Sequence, residues 1–110
     1  MIVLLDPGHG GEINGVYQTR GKRSPIHKED GFILYEGVNN REIVSKLKWA
    51  FLTHGIKFVD VVDTEEDKSL LERIKMANKI ASESDEQCLY LSIHSNAAGK
   101  NGEWSTAKGS

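Results

Sequence analysis

An uninterrupted apolar run near the N-terminus sets narrow limits on the fold. Residues 2–5 read IVLL, with no polar side chain among them. A strand with one face in water alternates apolar and polar residues, whereas a strand buried on both faces reads as a continuous apolar run. Strands of the second kind occur in parallel sheets that helices cover on both sides. The run therefore predicts a strand of a parallel sheet.

Helical and strand patterns alternate along the rest of the chain. Asn39 or Asn40 can cap the first helix, and Ser69 with Glu72 has the spacing of a capping box for the second. The predicted elements after the first strand are, in chain order, a helix over 40–54, a strand over 56–62, a helix after Ser69 with Leu70, Ile74, Ala77 and Ala81 on its apolar face, and a strand over 88–93. This order predicts an α/β fold, a mostly parallel sheet flanked by helices.

The predicted sheet is small for an independent domain. Three strands and two helices supply little core and leave sheet edges exposed. Residues 97–110 show neither a helical nor a strand pattern. We therefore expect residues 1–110 to form the N-terminal part of a single domain, which would be an incomplete three-layer α/β domain.

Composition excludes several classes of function. The 110 residues carry a net charge of −2, which gives no general attraction to nucleic acid or to anionic lipid. No apolar run approaches the roughly 20 residues of a membrane-spanning helix. The single cysteine, Cys88, excludes an internal disulfide. We expect no nucleic-acid partner and no membrane insertion.

The glycine-rich stretch DPGHGG, residues 6–11, invites a nucleotide-binding interpretation that fails on spacing. A dinucleotide fingerprint beginning at Gly8 needs a third glycine where Ile13 stands. A P-loop needs Ser or Thr after Gly-Lys, but Arg23 follows Lys22. The glycines are instead expected to leave open space around His9, because they carry no side chains.

Two histidines follow the ends of predicted strands. His9 comes after the first strand and His94 ends the third, in LSIHSN. Ligands of open α/β sheets gather at the carboxyl ends of strands, so these imidazoles converge if the two strands are neighbours. Zinc in hydrolytic sites commonly takes two histidines and one carboxylate, and Glu36 near the start of the first helix suits the third position. A histidine in a short chain is more often a surface or hydrogen-bonded residue, and the pattern alone leaves both interpretations open.

Three other polar residues are predicted to support this edge of the sheet. Asp6 is a candidate acceptor that would fix the tautomer of a ligand imidazole, with a turn-stabilising role as the alternative. Arg73 and Asn78, in the stretch RIKMAN, are expected to tie the second helix to the loops at this edge.

Four stretches occur together in a recognisable order: LLDPGHGG, YEGVNNREI, LLERIKMAN and LSIHSNA. The chain resembles zinc-dependent N-acetylmuramoyl-L-alanine amidases of type 3, which occur in bacterial wall hydrolases and phage endolysins. The resemblance implies that His9, Glu36 and His94 bind zinc. It also implies hydrolysis of the amide between the lactyl group of N-acetylmuramic acid and the L-alanine of the stem peptide, so peptidoglycan is the expected partner.

One part of the family pattern is missing from the sequence. The resemblance implies a late glutamate as general base, and it puts that residue beyond Ser110; Glu103, in NGEW, does not match the late motif. The alternatives are therefore a non-catalytic zinc-containing module that binds peptidoglycan, or an inactive fragment. No signal peptide precedes IVLLD, so we expect a lysin-like protein made in the cytoplasm that acts on the wall, or an extracellular one if a signal was removed.

Overall fold

The computed structural model of the chain describes residues 1–95, so the predictions for Glu103 and for 97–110 lie outside the described residues. The elements are, in chain order, β1 (Ile2–Pro7), β2 (Glu12–Ile13), β3 (Val16–Tyr17), α1 (Glu36–Thr53), β4 (Lys57–Asp60), α2 (Leu70–Ser82) and β5 (Cys88–Ile93). β1 lies in the middle of a three-stranded sheet, parallel to β4 on one side and to β5 on the other. This confirms the predicted α/β fold, a parallel sheet flanked by helices.

The apolar run of β1 is buried on both faces, as its composition predicts. Leu4 packs on one side, in a cluster that includes Ala77 of α2. Val3 and Leu5 point the other way, against Val44 of α1. Because alternate side chains of a strand point to opposite faces, one helix covers each face of the sheet. β1 therefore contributes side chains to both of the small hydrophobic cores.

Helix α1 begins four residues earlier than the pattern predicts, so Asn39 and Asn40 are not its caps. Glu36 is the first helical residue, and the Tyr35 cap position makes no side-chain capping bond. Asn40 lies fully buried within the helix, where its Nδ2 donates to the carbonyl of Gly8 at 3.1 Å. The prediction was wrong because asparagine is a weak helix former in isolation, whereas here it bonds across to the loop after β1.

The first turn of α1 is held by bonds from distant parts of the chain. The backbone N–H of Glu36 donates to the carbonyl of Lys22 at 2.9 Å, and that of Gly37 donates to the hydroxyl of Tyr17 at 2.9 Å. A side chain at Gly37 would overlap the carbonyl of Gly10, so only glycine permits this close approach. These contacts fix the start of α1 against the loop that carries His9.

Helix α2 begins where the capping box predicts but presents a different face to the sheet. Its buried residues are Arg73 and Ala77, whereas Leu70 is 70% exposed and Ile74 is 43% exposed. Ala81 is exposed as well, so the predicted apolar face is wrong at three of its four positions and right only at Ala77. The helix is turned so that the Arg73 guanidinium reaches beneath the end of β1, where it finds an ionic partner.

Removing the cap of α2 provides a test of its local stability. The Ser69 Oγ accepts a hydrogen bond from the backbone N–H of Glu72 at 3.1 Å. We expect Ser69→Ala to lower the free energy of unfolding by about 1 kcal/mol in urea titrations, and Ser69→Asn to retain most of it because asparagine also caps. Equal stabilities for the two variants would contradict the capping role.

The long segment between β1 and α1 is mostly irregular and contains one small hairpin. β2 and β3 pair antiparallel, and Asn14-Gly15 forms the turn between them. None of the helices in the described part of the chain is long and apolar enough to cross a membrane.

Candidate metal centre

The sheet brings His9 and His94 to the same edge. β1 and β5 are neighbours, with Pro7 opposite Ile93 in the last register pair, so the residues that follow the two strands meet. The two imidazole rings lie edge to face, with their centroids 5.1 Å apart. The first and third predicted strands are therefore neighbours, which is the arrangement in which we expected the two imidazoles to converge.

Glu36 reaches both imidazoles from the first residue of α1. Its Oε2 atom lies 3.0 Å from Nε2 of His9 and 3.2 Å from Nδ1 of His94. One candidate ligand atom from each of the three side chains lies within 4.8 Å of the other two. Zinc bonds of about 2.0–2.1 Å in tetrahedral geometry separate neighbouring ligand atoms by about 3.3 Å. The spacing of the carboxylate oxygen to each imidazole fits a zinc ion.

The electrostatics of the three side chains also suit a cation. Glu36 is 5% exposed, and a buried carboxylate requires compensating partners. Burial lowers the pKa of His9 below its ordinary value of 6.5, and the Glu36 carboxylate opposes that shift only in part. This shift favours the neutral His9 imidazole, which is the protonation state that a metal ligand needs.

A known protein family matches nearly the whole chain. Residues 3–109 match the amidase type 3 family, described as N-acetylmuramoyl-L-alanine amidase, over the N-terminal part of its domain. The chain belongs to this amidase family. Membership implies a hydrolase of the N-acetylmuramoyl-L-alanine amidase kind, with peptidoglycan as its substrate. Neither the curated proteins nor the solved structures contain a match to the chain.

In this amidase-family chain, Gly8 makes room for His94 rather than for His9. A Cβ atom at Gly8 would lie 2.8 Å from Nε2 of His94 and closer still to other atoms of the ring. The expectation that the glycines clear space around His9 is thus corrected at this position. The sequence could not show this, because the ring that needs the space comes from a distant strand.

We expect Gly8→Ala to weaken metal binding through this overlap. The His94 side chain is 46% exposed, so it can swing outward, away from Glu36. Zinc affinity, measured by competition with a chelator, should fall by about 10-fold or more, the scale of losses seen when support of a ligand is removed. Gly21→Ala is the matched control, because a Cβ there meets open space. Equal affinities in the two variants would refute the steric argument.

Asp6 does not contact an imidazole, contrary to the prediction. Its carboxylate accepts from Nη1 of Arg73 at 2.5 Å and from the hydroxyl of Tyr90. Burial first, and then the Asp6 carboxylate, raise the pKa of the Tyr90 hydroxyl, which stays protonated as a donor. Asp6 is only 3% exposed, so it takes these buried donors rather than an imidazole that points away into the site.

Arg73 ties α2 to the edge of the sheet as predicted, whereas Asn78 does not. The Arg73 guanidinium donates to the carbonyls of Pro7 at 2.7 Å, of His9 at 3.1 Å and of Lys68 at 2.8 Å. Asn78 is exposed on the outer face of α2 and makes no side-chain hydrogen bond within residues 1–95. Only the first of the two polar positions in RIKMAN therefore faces the site.

Sequence reasoning missed a polar bridge between α1 and the end of β5. The Ser95 hydroxyl donates to Oδ1 of Asn40 at 2.7 Å and accepts from Nδ2 of Asn39 at 2.6 Å. This bridge holds the backbone immediately after His94. The sequence did contain a signal for this bridge. Asn39 and Asn40 follow Glu36 by three and four residues, and residues with this spacing lie on the same side of a helix as Glu36.

A cavity of about 460 Å³ opens beside the two imidazoles. The segment 67–70, which leads into α2, forms one wall, and Tyr90 and Ser92 of β5 form part of the rest. A cavity of this size lies within the range of small-ligand sites. The arrangement leaves room for a substrate group directly beside the imidazoles of His9 and His94.

Proposed function

We propose that the protein is a zinc-dependent N-acetylmuramoyl-L-alanine amidase with His9, Glu36 and His94 as its zinc ligands. The reaction is hydrolysis of the amide between the lactyl group of N-acetylmuramic acid and the L-alanine of the stem peptide. The observation that carries the proposal is the convergence of two imidazoles on one buried carboxylate oxygen, at 3.0 and 3.2 Å, in a chain of this family.

The donor set supports zinc in particular. Two histidines and one carboxylate are the protein ligands of many hydrolytic zinc sites, which keep a fourth position for water or substrate. When bound, zinc polarises the scissile carbonyl and activates a water molecule. The residues of the chain hold the imidazoles in place through Glu36 and the Ser95 bridge, and the adjacent cavity provides space for the muramoyl peptide.

We further propose that residues 1–110 supply the N-terminal, metal-binding part of a single catalytic domain. The match to the N-terminal part of the family domain supports this. We assign no general base. Glu36 is the only carboxylate in contact with the two imidazoles within residues 1–95, and its role here is that of a ligand. The site of action is the cell wall, as for phage lysins.

Among residues 1–95, no carboxylate other than that of Glu36 contacts the two imidazoles, and this favours a non-catalytic function as the alternative. A zinc-containing module that binds peptidoglycan without cleaving it would use the same three ligands. Release of muropeptides from purified sacculi distinguishes the two functions when assayed on this chain and on the chain extended by its natural downstream sequence. Release by either form supports the amidase, and binding to sacculi without release by both supports the module.

Zinc content tests the ligand assignment directly. The purified protein should contain close to one zinc per molecule, and His9→Ala, Glu36→Ala and His94→Ala should each remove it. His27→Ala is the matched control, because the ring of His27 pairs with Asp30 on the surface at 2.9 Å. Zinc content unchanged in all three ligand variants would overturn the assignment.

A further inference from the structure

The backbone of His9 adopts a conformation that histidine seldom takes. Its φ is +62°, in the left-handed region, where the side chain of any residue other than glycine crowds the backbone. Asn14, the other such residue among 1–95, belongs to an Asn-Gly hairpin turn in which positive φ is usual. His9 has no comparable turn chemistry, so something else in the structure must hold it there.

Two arginines converge on the carbonyl oxygen of His9. Nη1 of Arg41 donates to it at 2.9 Å and Nη2 of Arg73 donates to it at 3.1 Å. The two guanidinium groups come from opposite sides, one from α1 and the other from α2. A single backbone carbonyl thus receives two charged donors, and hydrogen bonds to charged groups are the stronger kind.

Each guanidinium is fixed independently of His9. Arg41 also donates to the carbonyl of Thr64 at 3.0 Å and pairs with Glu65 at 3.4 Å. Arg73 is anchored by its buried ion pair with Asp6. These anchors hold the two guanidinium groups in place whether or not they bond to His9. The His9 carbonyl bonds to both groups when the residue has its positive φ.

We propose that Arg41 and Arg73 are positioning residues that hold His9 in its left-handed conformation and so direct its imidazole toward Glu36 and His94. The proposal rests on the zinc site proposed above. With the preceding strand fixed, rotating φ of His9 back to the ordinary negative region would swing its carbonyl away from the two arginines and its Cβ, with the imidazole, away from Glu36. The two guanidinium groups therefore act on the site through the backbone of His9.

Arg41 offers the cleaner test, since it lies outside the buried ion pair of Arg73 and Asp6. We expect Arg41→Met to weaken zinc binding by about 10- to 100-fold in chelator competition, the usual effect of losing a residue that orients a ligand. The visible absorption of the Co²⁺-substituted protein should change in band position or intensity, because the geometry of the His9 ligand changes. Arg41→Lys keeps a cationic donor on this side chain and should recover part of the affinity.

Lys48→Met is the matched control, because it removes a cation from the same helix whose partner is Asp60 rather than His9. It should keep zinc affinity within about twofold and keep the Co²⁺ spectrum. Thermal melting of the metal-free variants checks that each one is folded. If His9→Ala abolishes zinc binding while Arg41→Met keeps both the affinity and the spectrum, the positioning role is wrong and the zinc site stands. If His9→Ala leaves zinc binding intact, the proposed function itself fails.

Discussion

Replacing Arg73 with methionine is expected to lower the free energy of unfolding by about 3–5 kcal/mol, the usual cost of removing one partner from a buried ion pair. Arg73 is 6% exposed and Asp6 is 3% exposed, so the remaining carboxylate would be left without a cation in a nearly dry environment. The same change also leaves the carbonyl of Pro7 without its donor. Urea unfolding in the presence of EDTA measures the effect without any contribution from bound metal.

A matched control separates this loss from the general effect of removing a cation. Lys48 pairs with Asp60 at 2.7 Å, but about a third of the Lys48 side chain is exposed. Pairs of this kind contribute about 1 kcal/mol or less, so Lys48→Met should be much milder than Arg73→Met. In a double-mutant cycle, Asp6→Asn should cost less in the Arg73→Met background than in the wild type. Additive effects would show that the two side chains do not stabilise each other.

The sequence predicts the elements of this fold well where local pattern and tertiary role coincide. The IVLL run predicts a doubly buried strand because burial on two faces leaves no position for a polar residue. The start of α2 is predictable because Ser69 and Glu72 satisfy its first N–H groups locally. By contrast, the start of α1 depends on Lys22 and Tyr17, which lie far away in the chain, and no local pattern encodes these bonds.

The same distinction applies to the candidate site. The sequence identifies His9 and His94 as candidate ligands because each lies at the end of a predicted strand. Whether the two imidazoles lie close together depends on the strand order β4–β1–β5, which the sequence pattern does not predict. Asp6 is next to the site in sequence, yet its carboxylate turns to Arg73 because burial demands a cation. The role of Gly8 also depends on a ring from another strand. Long-range contacts, which residue spacing does not reveal, account for each of these differences.

Zinc should raise the melting temperature of the wild type strongly, and Glu36→Gln should abolish most of that rise. At a free zinc concentration 100-fold above Kd, binding stabilises the fold by about 2.7 kcal/mol, which corresponds to roughly 10–20 °C for a domain of this size. Loss of a ligand should weaken binding by more than the roughly 100-fold that supporting residues account for. At the same zinc concentration, the variant would then gain about 0.4 kcal/mol or less.

Glutamine is the informative replacement because it keeps the shape of a side chain that is only 5% exposed. It removes the negative charge that the ion requires, yet it can still accept a hydrogen bond from an imidazole. Glu42→Gln, on the exposed face of the same helix, makes the same chemical change away from the imidazoles and should keep the full zinc-dependent shift. A full shift in Glu36→Gln would mean that zinc binds elsewhere, whereas a shift lost in both variants would point to a general effect of charge rather than to ligation.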